Sequence, residues 1–161
     1  MNESEKNNNI ELIKRLKYRY QRSLDTHDWA AFGACFTEDA TSSYSDGALS
    51  FKGRDAIVEG ISTPMDSPFK ISIHQVHHPE IDIISETKAT GTWYLHDHVV
   101  CEGEGYILTG GAFYHDEYTK IDDSWFIQHI GYERTFEYRM PIPEGYEVTE
   151  LADNLRKIRQ L

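Results

Sequence analysis

The sequence is poor in cysteine and contains no long apolar run. Its two cysteines, Cys35 and Cys101, are too few to build a disulfide framework in a chain of 161 residues. No segment approaches the roughly 20 apolar residues that a membrane-spanning helix requires. The first residues, MNESEKNNN, also lack the apolar core of a signal peptide. We therefore expect a cytoplasmic protein with reduced cysteines.

Positive charge is also scarce. The chain has 16 Lys and Arg residues against 27 Asp and Glu residues, a formal net charge of −11. Such a chain repels nucleic-acid phosphates and anionic lipid headgroups. The sequence contains neither a glycine-rich phosphate loop nor a nucleophile elbow. The excess of negative charge argues against nucleic acid and membranes as partners.

Aromatic residues, in contrast, are plentiful. They make up 12% of the chain and include ten tyrosines. A chain of this length is large enough for one domain with a buried core. Tyrosine suits the wall of a pocket, because it combines an apolar ring with a polar hydroxyl. The composition therefore predicts a single folded domain in which tyrosines can line a pocket.

The spacing of apolar residues predicts that helices precede a long run of strands. Helices are expected at 10–25, 28–36 and 53–63, a hairpin at 41–51, and strands at 69–84, 88–101, 105–120 and 124–138. Asp28 is the predicted N-cap of the second helix, and Asp46-Gly47 is the predicted type I′ turn of the hairpin. An amphipathic helix is expected at 148–160. This order predicts an α+β fold: a cone-shaped, curved antiparallel or mixed β-sheet with the N-terminal helices on its concave face, enclosing a pocket.

Asp97 is the most conspicuous misfit in this pattern. Trp93, Leu95 and Val99 share its face of the predicted strand, so a carboxylate lies within an apolar stripe. Burial of a carboxylate is costly unless the group is paired, hydrogen-bonded or used in chemistry. Two interpretations are open. Asp97 is either a structural acid bonded to backbone N–H groups or an arginine, or a carboxylate that orients and charges a histidine.

His74 is the histidine that we expect to pair with Asp97. It shares one face of its predicted strand with Ser72 and Val76. The alternation does not decide whether that face or the opposite one lines the pocket, and a bulge would exchange them. Periodicity alone therefore does not establish this pairing.

Arg134 is a second charged residue in an apolar setting. The predicted strand at 124–138 places it on one face with Phe126, Ile130, Tyr132, Phe136 and Tyr138. One interpretation is a buried ion pair with an acid such as Asp25. The other is a clamp on a carboxylate or oxyanion of the substrate.

The eight histidines raise the question of a metal site. His96, His98 and Glu102 have part of the spacing of a cupin metal site, but a cupin does not begin with two helices. We therefore expect no metal ion and no other cofactor. His96 and His98 are expected at the rim of the pocket or on the surface.

Six short motifs occur in order between residues 10 and 137. They are Tyr20-x-Arg22-x-Leu24-Asp25, Ser43-Tyr44-Ser45-Asp46-Gly47, His74-x-x-His77-x-Pro79-Glu80-Ile81, Ala89-Thr90-Gly91-x-Trp93-Tyr94-Leu95-x-Asp97, Gly110-Gly111-Ala112-Phe113-Tyr114-x-Asp116 and Gly131-Tyr132-x-Arg134. Together they resemble SnoaL-like proteins of the nuclear transport factor 2-like cone superfamily, most nearly the bile acid 7-alpha-dehydratase branch. Scytalone dehydratase and ketosteroid isomerase are related to that group.

The polar N-terminus, the amphipathic C-terminal pattern and the resemblance together predict the organisation of the chain. It divides into a disordered N-terminus at 1–8, a SnoaL-like cone domain at 9–140, and a linker with a C-terminal amphipathic helix at 141–161. The resemblance also implies a homo-oligomer, either a dimer or a trimer, that binds a small hydrophobic substrate.

The implied site is that of a dehydratase. Tyr20, His74 and Asp97 are its expected catalytic residues, and Asp25, Tyr44 and Arg134 are expected to support or contact the substrate. Elimination of water beside a carbonyl needs a base for the C–H, a donor to the enolate oxygen and an acid for the departing hydroxide. An imidazole can serve as base and then as acid near neutral pH. The expected substrate is a hydroxylated carbonyl compound of the steroid or polyketide type.

Two alternatives stay open. The same pocket can shift a double bond as an isomerase, because both reactions pass through an enolate. The cone can also be non-catalytic and serve for ligand binding or assembly, since one fold supports many functions.

Overall fold

The computed structural model describes residues 1–66, 70–153, 155 and 157. The helices are α1 (Glu3–Asp25), α2 (Trp29–Gly33) and α3 (Arg54–Met65), and a short 3-10 turn covers Glu102–Glu104. The strands are β1 (Phe36–Tyr44), β2 (Leu49–Lys52), β3 (Lys70–Ile83), β4 (Lys88–Cys101), β5 (Tyr106–Ile121) and β6 (Ser124–Pro141). The predicted order of two helices, a hairpin, a third helix and long strands is confirmed.

The six strands form one curved sheet that does not close on itself. The strand order is β2-β1-β6-β5-β4-β3, and neighbouring strands are antiparallel except β1 and β6, which are parallel. A largely aromatic and aliphatic core lies between the sheet and the helices. The α+β cone that the sequence predicts is confirmed, with a mixed sheet.

Helix α1 covers the inner side of the sheet with one apolar stripe. Its buried apolar residues are Ile13, Leu16, Tyr20 and Leu24. These residues recur at intervals of three and four, as an amphipathic helix requires. The last turn of α1 lies against β3, so the end of the helix contacts the strand that carries His74.

Helix α1 begins at Glu3, earlier than the predicted start at residue 10. Asn2 and Glu5 form a capping box, in which Asn2 Oδ1 accepts from the Glu5 N–H at 2.9 Å and Glu5 Oε2 accepts from the Asn2 N–H at 2.7 Å. These two bonds satisfy backbone donors that are otherwise unpaired at a helix start. Residues 1–8, for which we expected disorder, therefore supply the cap and the first turns of α1.

Polar turn residues account for the short connections. Asp28 is the N-cap of α2, as predicted, because its Oδ1 accepts from the Ala31 N–H at 3.0 Å. The β1–β2 hairpin also forms, but its turn is displaced by one residue from the prediction. Ser45 and Asp46, with φ of 50° and 56°, occupy the central positions, and the Gly47 N–H donates to the Tyr44 carbonyl at 3.1 Å.

Strand β6 changes faces at a β-bulge near Arg134. In its pairing with β5, the Ala112–Arg134 pair is followed by the Gly111–Phe136 pair, which leaves one extra residue on β6. Such an insertion reverses the face of every later side chain. Phe136 and Tyr138 therefore lie on the outer face and are about half exposed. The prediction that they share a face with Arg134 is wrong.

The structure after β6 can be compared only in part with the linker and helix predicted there. Pro141 ends β6, so the expected linker starts one residue later. Within the predicted helix at 148–160, residues 148–152 are not helical, residues 153, 155 and 157 are helical, and the others lie outside the described residues. Across the described part of the chain, no helix is both long and apolar enough to cross a membrane. Cys35 and Cys101 are buried and unpaired.

Candidate active site

A cavity of about 370 Å³ lies inside the cone, between helices α1 and α3 and the inner faces of the strands. Its wall is mostly apolar, and the polar side chains in it include Tyr20, Tyr44, His74, Asp97, Tyr114, Tyr132 and Arg134. The volume is typical of a site for a small molecule. Three other hollows, of about 420, 530 and 650 Å³, are larger, but His74 lines none of them. The inner cavity is therefore the candidate site, because titratable groups converge there in an apolar space.

His74 and Asp25 form a hydrogen-bonded pair at one end of this cavity. His74 Nδ1 lies 2.6 Å from Asp25 Oδ1, and the His74 backbone N–H donates to Asp25 Oδ2 at 2.8 Å. The Ser72 hydroxyl also donates to Asp25 Oδ1 at 2.8 Å. A carboxylate only accepts hydrogen bonds, so Nδ1 carries the proton in this pair and Nε2 is the nitrogen that can act as a base. Asp25 itself does not line the cavity and reaches it through His74.

Asp97 pairs with Arg134, so the prediction that it orients His74 is wrong. Arg134 Nη1 and Nη2 donate to Asp97 Oδ1 and Oδ2, each at 2.7 Å. Asp97 and His74 are opposite each other in the β3–β4 register, yet the structure, which describes both side chains, shows no hydrogen bond or ion pair between them. A guanidinium group contacts both carboxylate oxygens at once, whereas an imidazole offers one contact. Arg134 therefore forms a buried ion pair, as one interpretation predicted. Its partner is Asp97 and not Asp25.

The Asp97–Arg134 pair is held from several sides. Burial alone would lower the pKa of Arg134, but the hydrogen bonds to Asp97 raise it, and the nearby Tyr132 acts in the same direction. The guanidinium carbon also lies 4.8 Å from the centroid of the Tyr132 ring. Gly110 is opposite Asp97 on β5, where a Cβ atom would overlap the guanidinium and approach Asp97 Oδ1. The missing side chain of Gly110 thus leaves the room that the pair occupies.

Three buried tyrosines contribute hydroxyl groups to the cavity wall. The Tyr20 and Tyr44 hydroxyl oxygens are 3.2 Å apart. The Tyr114 ring is nearly perpendicular to the Tyr20 ring, with the centroids 6.4 Å apart. Burial is the main cause that raises the pKa of all three phenols above their usual range. These hydroxyls therefore keep their protons at neutral pH, and a hydroxyl that donates to a neighbouring tyrosine can donate to a ligand once that bond is exchanged.

The chain matches a known family over most of its length. The model of the SnoaL-like domain matches residues 7–131, which is most of the chain. The chain belongs to the SnoaL-like family. The matched segment contains Tyr20, Asp25, Tyr44, His74 and Asp97, and it ends shortly before Arg134. The narrower resemblance to the bile acid dehydratase branch stays a prediction.

Individual relatives of this SnoaL-like protein differ in the activities that their names state. A probable cyclase, FGR4, of Gibberella zeae is 28% identical over 136 residues, which cover 78% of this chain and 90% of that protein. A putative scytalone dehydratase from Novosphingobium aromaticivorans has a similar structure, with a TM-score of 0.74 and 24% identity over 90% of this chain and 99% of that one. A hexachlorocyclohexane dehydrochlorinase, LinA-type3, from Novosphingobium barchaimii gives a TM-score of 0.77 and 16% identity over 92% of this chain and 100% of that one. The structural likenesses show a shared fold.

The SnoaL-like cone brings most predicted site residues together at one cavity, whose wall also includes two tyrosines without a predicted role. Tyr20, Tyr44, His74, Asp97 and Arg134 line the cavity, as do Tyr114 and Tyr132. Tyr114 lies within a family motif but was assigned no role there. Lys17, for which no role was predicted either, does not line the cavity but is fully buried against Tyr114. Its spacing from Ile13 and Tyr20 already places Lys17 on the buried stripe of α1.

The histidines of β4 lie outside this site. His96 is exposed and His98 is half-buried, both on the outer face of the sheet. His98 Nδ1 is 3.0 Å from the Thr109 hydroxyl. Among the described residues, no group of three or more His, Cys, Asp or Glu side chains is arranged to hold a metal ion.

Proposed function

We propose that this SnoaL-like protein is a cofactor-free lyase of the dehydratase type. It removes water from a small hydrophobic compound that carries a hydroxyl group beta to a carbonyl. The observation that carries the proposal is that His74, oriented by Asp25, and the Tyr20 and Tyr44 hydroxyls all lie at one mostly apolar cavity. The names of the dehydratase and the dehydrochlorinase with the same fold both denote eliminations, which supports this reaction class.

His74 is the proposed base and then the proposed acid. Its Nε2 accepts the proton from the carbon between the carbonyl and the carbon that bears the hydroxyl. The resulting imidazolium is stabilised by Asp25, which accepts from Nδ1–H. The C–O bond then breaks as the double bond forms, and Nε2 returns its proton to the departing oxygen, which leaves as water. The residue ends the cycle in its starting state, so no further proton donor is required.

Tyr20 and Tyr44 are the proposed donors to the carbonyl oxygen. Negative charge develops on this oxygen as the C–H bond breaks, and a donor that is already in place in an apolar site stabilises that charge without reorganisation. Both phenols are buried and stay protonated. Tyr20 extends from α1, where its position is fixed by packing against Phe32 and Phe36.

Asp97 and Arg134 are proposed to shape the cavity wall next to His74, because Asp97 is the register partner of His74 on β4. We expected Asp97 to be catalytic and Arg134 to bind substrate, and direct contact with a substrate stays a prediction for both. In the structure they neutralise each other, so neither offers a free charge. A neutral wall suits an uncharged hydrophobic substrate of the steroid or polyketide type.

The mass of the product tests the reaction. We propose to incubate the protein with a panel of hydroxylated cyclic carbonyl compounds and to analyse the products by mass spectrometry. The expected product of a responsive compound has lost one molecule of water. A product of unchanged mass with a displaced double bond would instead indicate the isomerase alternative. If no panel compound is converted or bound, the non-catalytic alternative is favoured.

A matched pair of histidine variants provides the control. His74→Ala removes the proposed base, whereas His96→Ala removes an exposed histidine from the outer face of the neighbouring strand. We expect the first variant to lose dehydration and the second to keep it. Equal turnover in both variants would contradict the proposed mechanism.

A further inference from the structure

Lys17 is a buried cation for which the proposed reaction has no use. Its side chain is 0% exposed, and Nζ donates to Asp116 Oδ2 at 2.7 Å. The Tyr118 hydroxyl donates to the same oxygen at 2.6 Å. Burial lowers the pKa of Lys17 and raises that of Asp116, because both charged forms lose their hydration. A buried ion pair of this kind is often no more stable than apolar residues of similar volume, so stability alone does not explain it.

The ammonium group of Lys17 lies directly against the Tyr114 ring. Its Nζ is 3.4 Å from the centroid of that ring, compared with 5.1 Å for the Tyr20 ring and 6.0 Å for the Trp93 ring. A cation over an aromatic face is attracted by the ring, and the attraction is stronger where water is excluded. On a phenol, the same positive charge also favours negative charge on the hydroxyl oxygen, which makes the O–H a better donor.

We propose that Lys17 is a positioning residue that acts through Tyr114. Its charge strengthens the Tyr114 hydroxyl as a hydrogen-bond donor to a substrate oxygen on which negative charge develops. Tyr114 then serves as a third donor in the cavity beside Tyr20 and Tyr44. The Tyr114 proton stays on its oxygen throughout, so no covalent step is added. This inference rests on the proposed function, because it requires an enolate-like oxygen in the cavity.

Asp116 opposes the effect of Lys17 on Tyr114. Burial raises the pKa of Tyr114 most, Tyr44 and Tyr132 raise it further, and the Asp116 carboxylate acts in the same direction. The charge of Asp116 is shared between contacts to Lys17 and Tyr118, whereas the ammonium group touches the Tyr114 ring face. Electrostatic effects fall with distance, and the inference requires the contacting cation to outweigh the carboxylate at the Tyr114 hydroxyl. Asp116 thus holds Lys17 in place over the ring.

Binding of 4-nitrophenol tests this inference without any turnover. The ionised and neutral forms of this probe absorb at different wavelengths, so its spectrum reports how strongly the cavity favours a phenolate oxygen. The double variant Lys17→Met/Asp116→Asn removes both charges and leaves no unpaired buried charge. Tyr114→Phe keeps the ring and its contact with Lys17 and removes only the hydroxyl. Combining all three substitutions completes a double-mutant cycle.

We expect the double variant to bind nitrophenolate about tenfold more weakly than the wild-type protein, the size of a desolvated cation–π contribution. In the Tyr114→Phe background, the same two substitutions should cause no further loss. Equal losses in both backgrounds would assign Lys17 a purely structural role and overturn the inference. So would a wild-type protein that does not favour the ionised probe.

The experiment gives an answer even if the double variant does not fold, and it separates the role of Lys17 from the proposed reaction. Tyr114→Phe leaves the ion pair intact, so it is informative even if the double variant does not fold. Unchanged nitrophenolate affinity in Tyr114→Phe would contradict the inference by itself. Since the probe requires no reaction, a protein that shows the coupling without dehydration overturns only the proposed function. A protein that dehydrates its substrate without the coupling overturns only the role of Lys17.

Discussion

Asp25 accepts three hydrogen bonds at the end of α1, and two of them come from His74. These contacts fix both the backbone and the imidazole of His74, so that Nε2 is the ring nitrogen available for proton transfer. Asp97, which lines the cavity, is neutralised by Arg134 through two parallel bonds. At the scale of single residues, the site therefore combines one oriented base with a set of neutral hydroxyl donors.

Replacement of Tyr20 tests the donor role. Tyr20→Phe should lower kcat by about a hundredfold with little change in KM, because the lost hydrogen bond acts mainly in the transition state. Tyr18→Phe is a matched control, since Tyr18 lies on the same helix but is 46% exposed. Steady-state kinetics on a responsive compound would measure both. Equal effects of the two substitutions would contradict the role assigned to Tyr20.

Replacement of Arg134 tests the buried ion pair. Arg134→Met leaves the carboxylate of Asp97 buried without a partner, which should reduce the free energy of unfolding by about 3 kcal/mol. Arg134→Met combined with Asp97→Leu removes both charges and should recover much of that loss. Urea denaturation of the single and double variants provides the comparison. If the double variant is no more stable than the single one, the pair is not the source of the effect.

The sequence predicted where the charged residues are buried, but not how they pair. Alternation along β4 correctly placed Asp97 inward. The family motifs contain Asp25 and Arg134, of which the first contacts His74 and the second lines the cavity. The partner of each acid depends on side-chain reach and on the geometry of the guanidinium group, which periodicity does not contain. We therefore predicted Asp97 as the partner of His74, whereas its partner in the structure is Asp25.

The junction between helix α1 and strand β3 brings the residues of the site together. Helix α1 supplies Lys17, Tyr20 and Asp25, and β3 supplies Ser72 and His74. The hydrogen bond from the His74 N–H to Asp25 Oδ2 joins the strand backbone to the helix end. Displacement of the helix therefore moves a tyrosine donor and the partner of the histidine together.

Ser72→Ala tests how firmly this junction is held. The variant loses one of the three hydrogen bonds to Asp25 and should reduce the free energy of unfolding by about 1 kcal/mol. The two bonds from His74 remain, so activity should fall only modestly. Ser50→Ala, at an exposed serine of β2, is the control. A loss of activity as large as that of His74→Ala would show that Ser72 does more than support Asp25.

The sequence predicts the strands but not the β-bulges within them. Most strand bounds were predicted within two residues, because the chain alternates clearly and has polar turns. The bulge beyond Arg134 inserts one residue into β6 with no distinct sequence signal, and it moves Phe136 and Tyr138 to the outer face. The early start of α1 is different, since the Asn2 and Glu5 spacing was a readable capping signal.

The outer face of the sheet carries several exposed apolar side chains. Ile73, Tyr94, Phe113, Phe136, Tyr138 and Met140 are each between 37% and 52% exposed. Tyr94 and Phe113 are paired across β4 and β5, with ring centroids 4.8 Å apart. An apolar patch of this kind is typical of a protein–protein contact, which supports the expected homo-oligomer.

Light scattering coupled to size-exclusion chromatography tests this assembly. We expect a dimer or a trimer, and we expect Tyr94→Glu/Phe113→Glu to shift the molecular mass toward that of a monomer. Ile84→Glu is the control, because Ile84 is 65% exposed in the β3–β4 turn and lies outside the patch. A wild-type mass of 18.6 kDa, that of a single chain, would contradict the prediction.

Exchange of a substrate C–H in heavy water is the most direct test of the central claim, that His74 held by Asp25 moves the proton. The substrate is a cyclic carbonyl compound without a leaving hydroxyl, so only proton abstraction can occur. We predict that the wild-type protein and Asp97→Asn incorporate deuterium beside the carbonyl, that Asp25→Asn does so much more slowly, and that His74→Ala does not. Exchange in His74→Ala at the wild-type rate, or a greater loss in Asp97→Asn than in Asp25→Asn, would contradict the account.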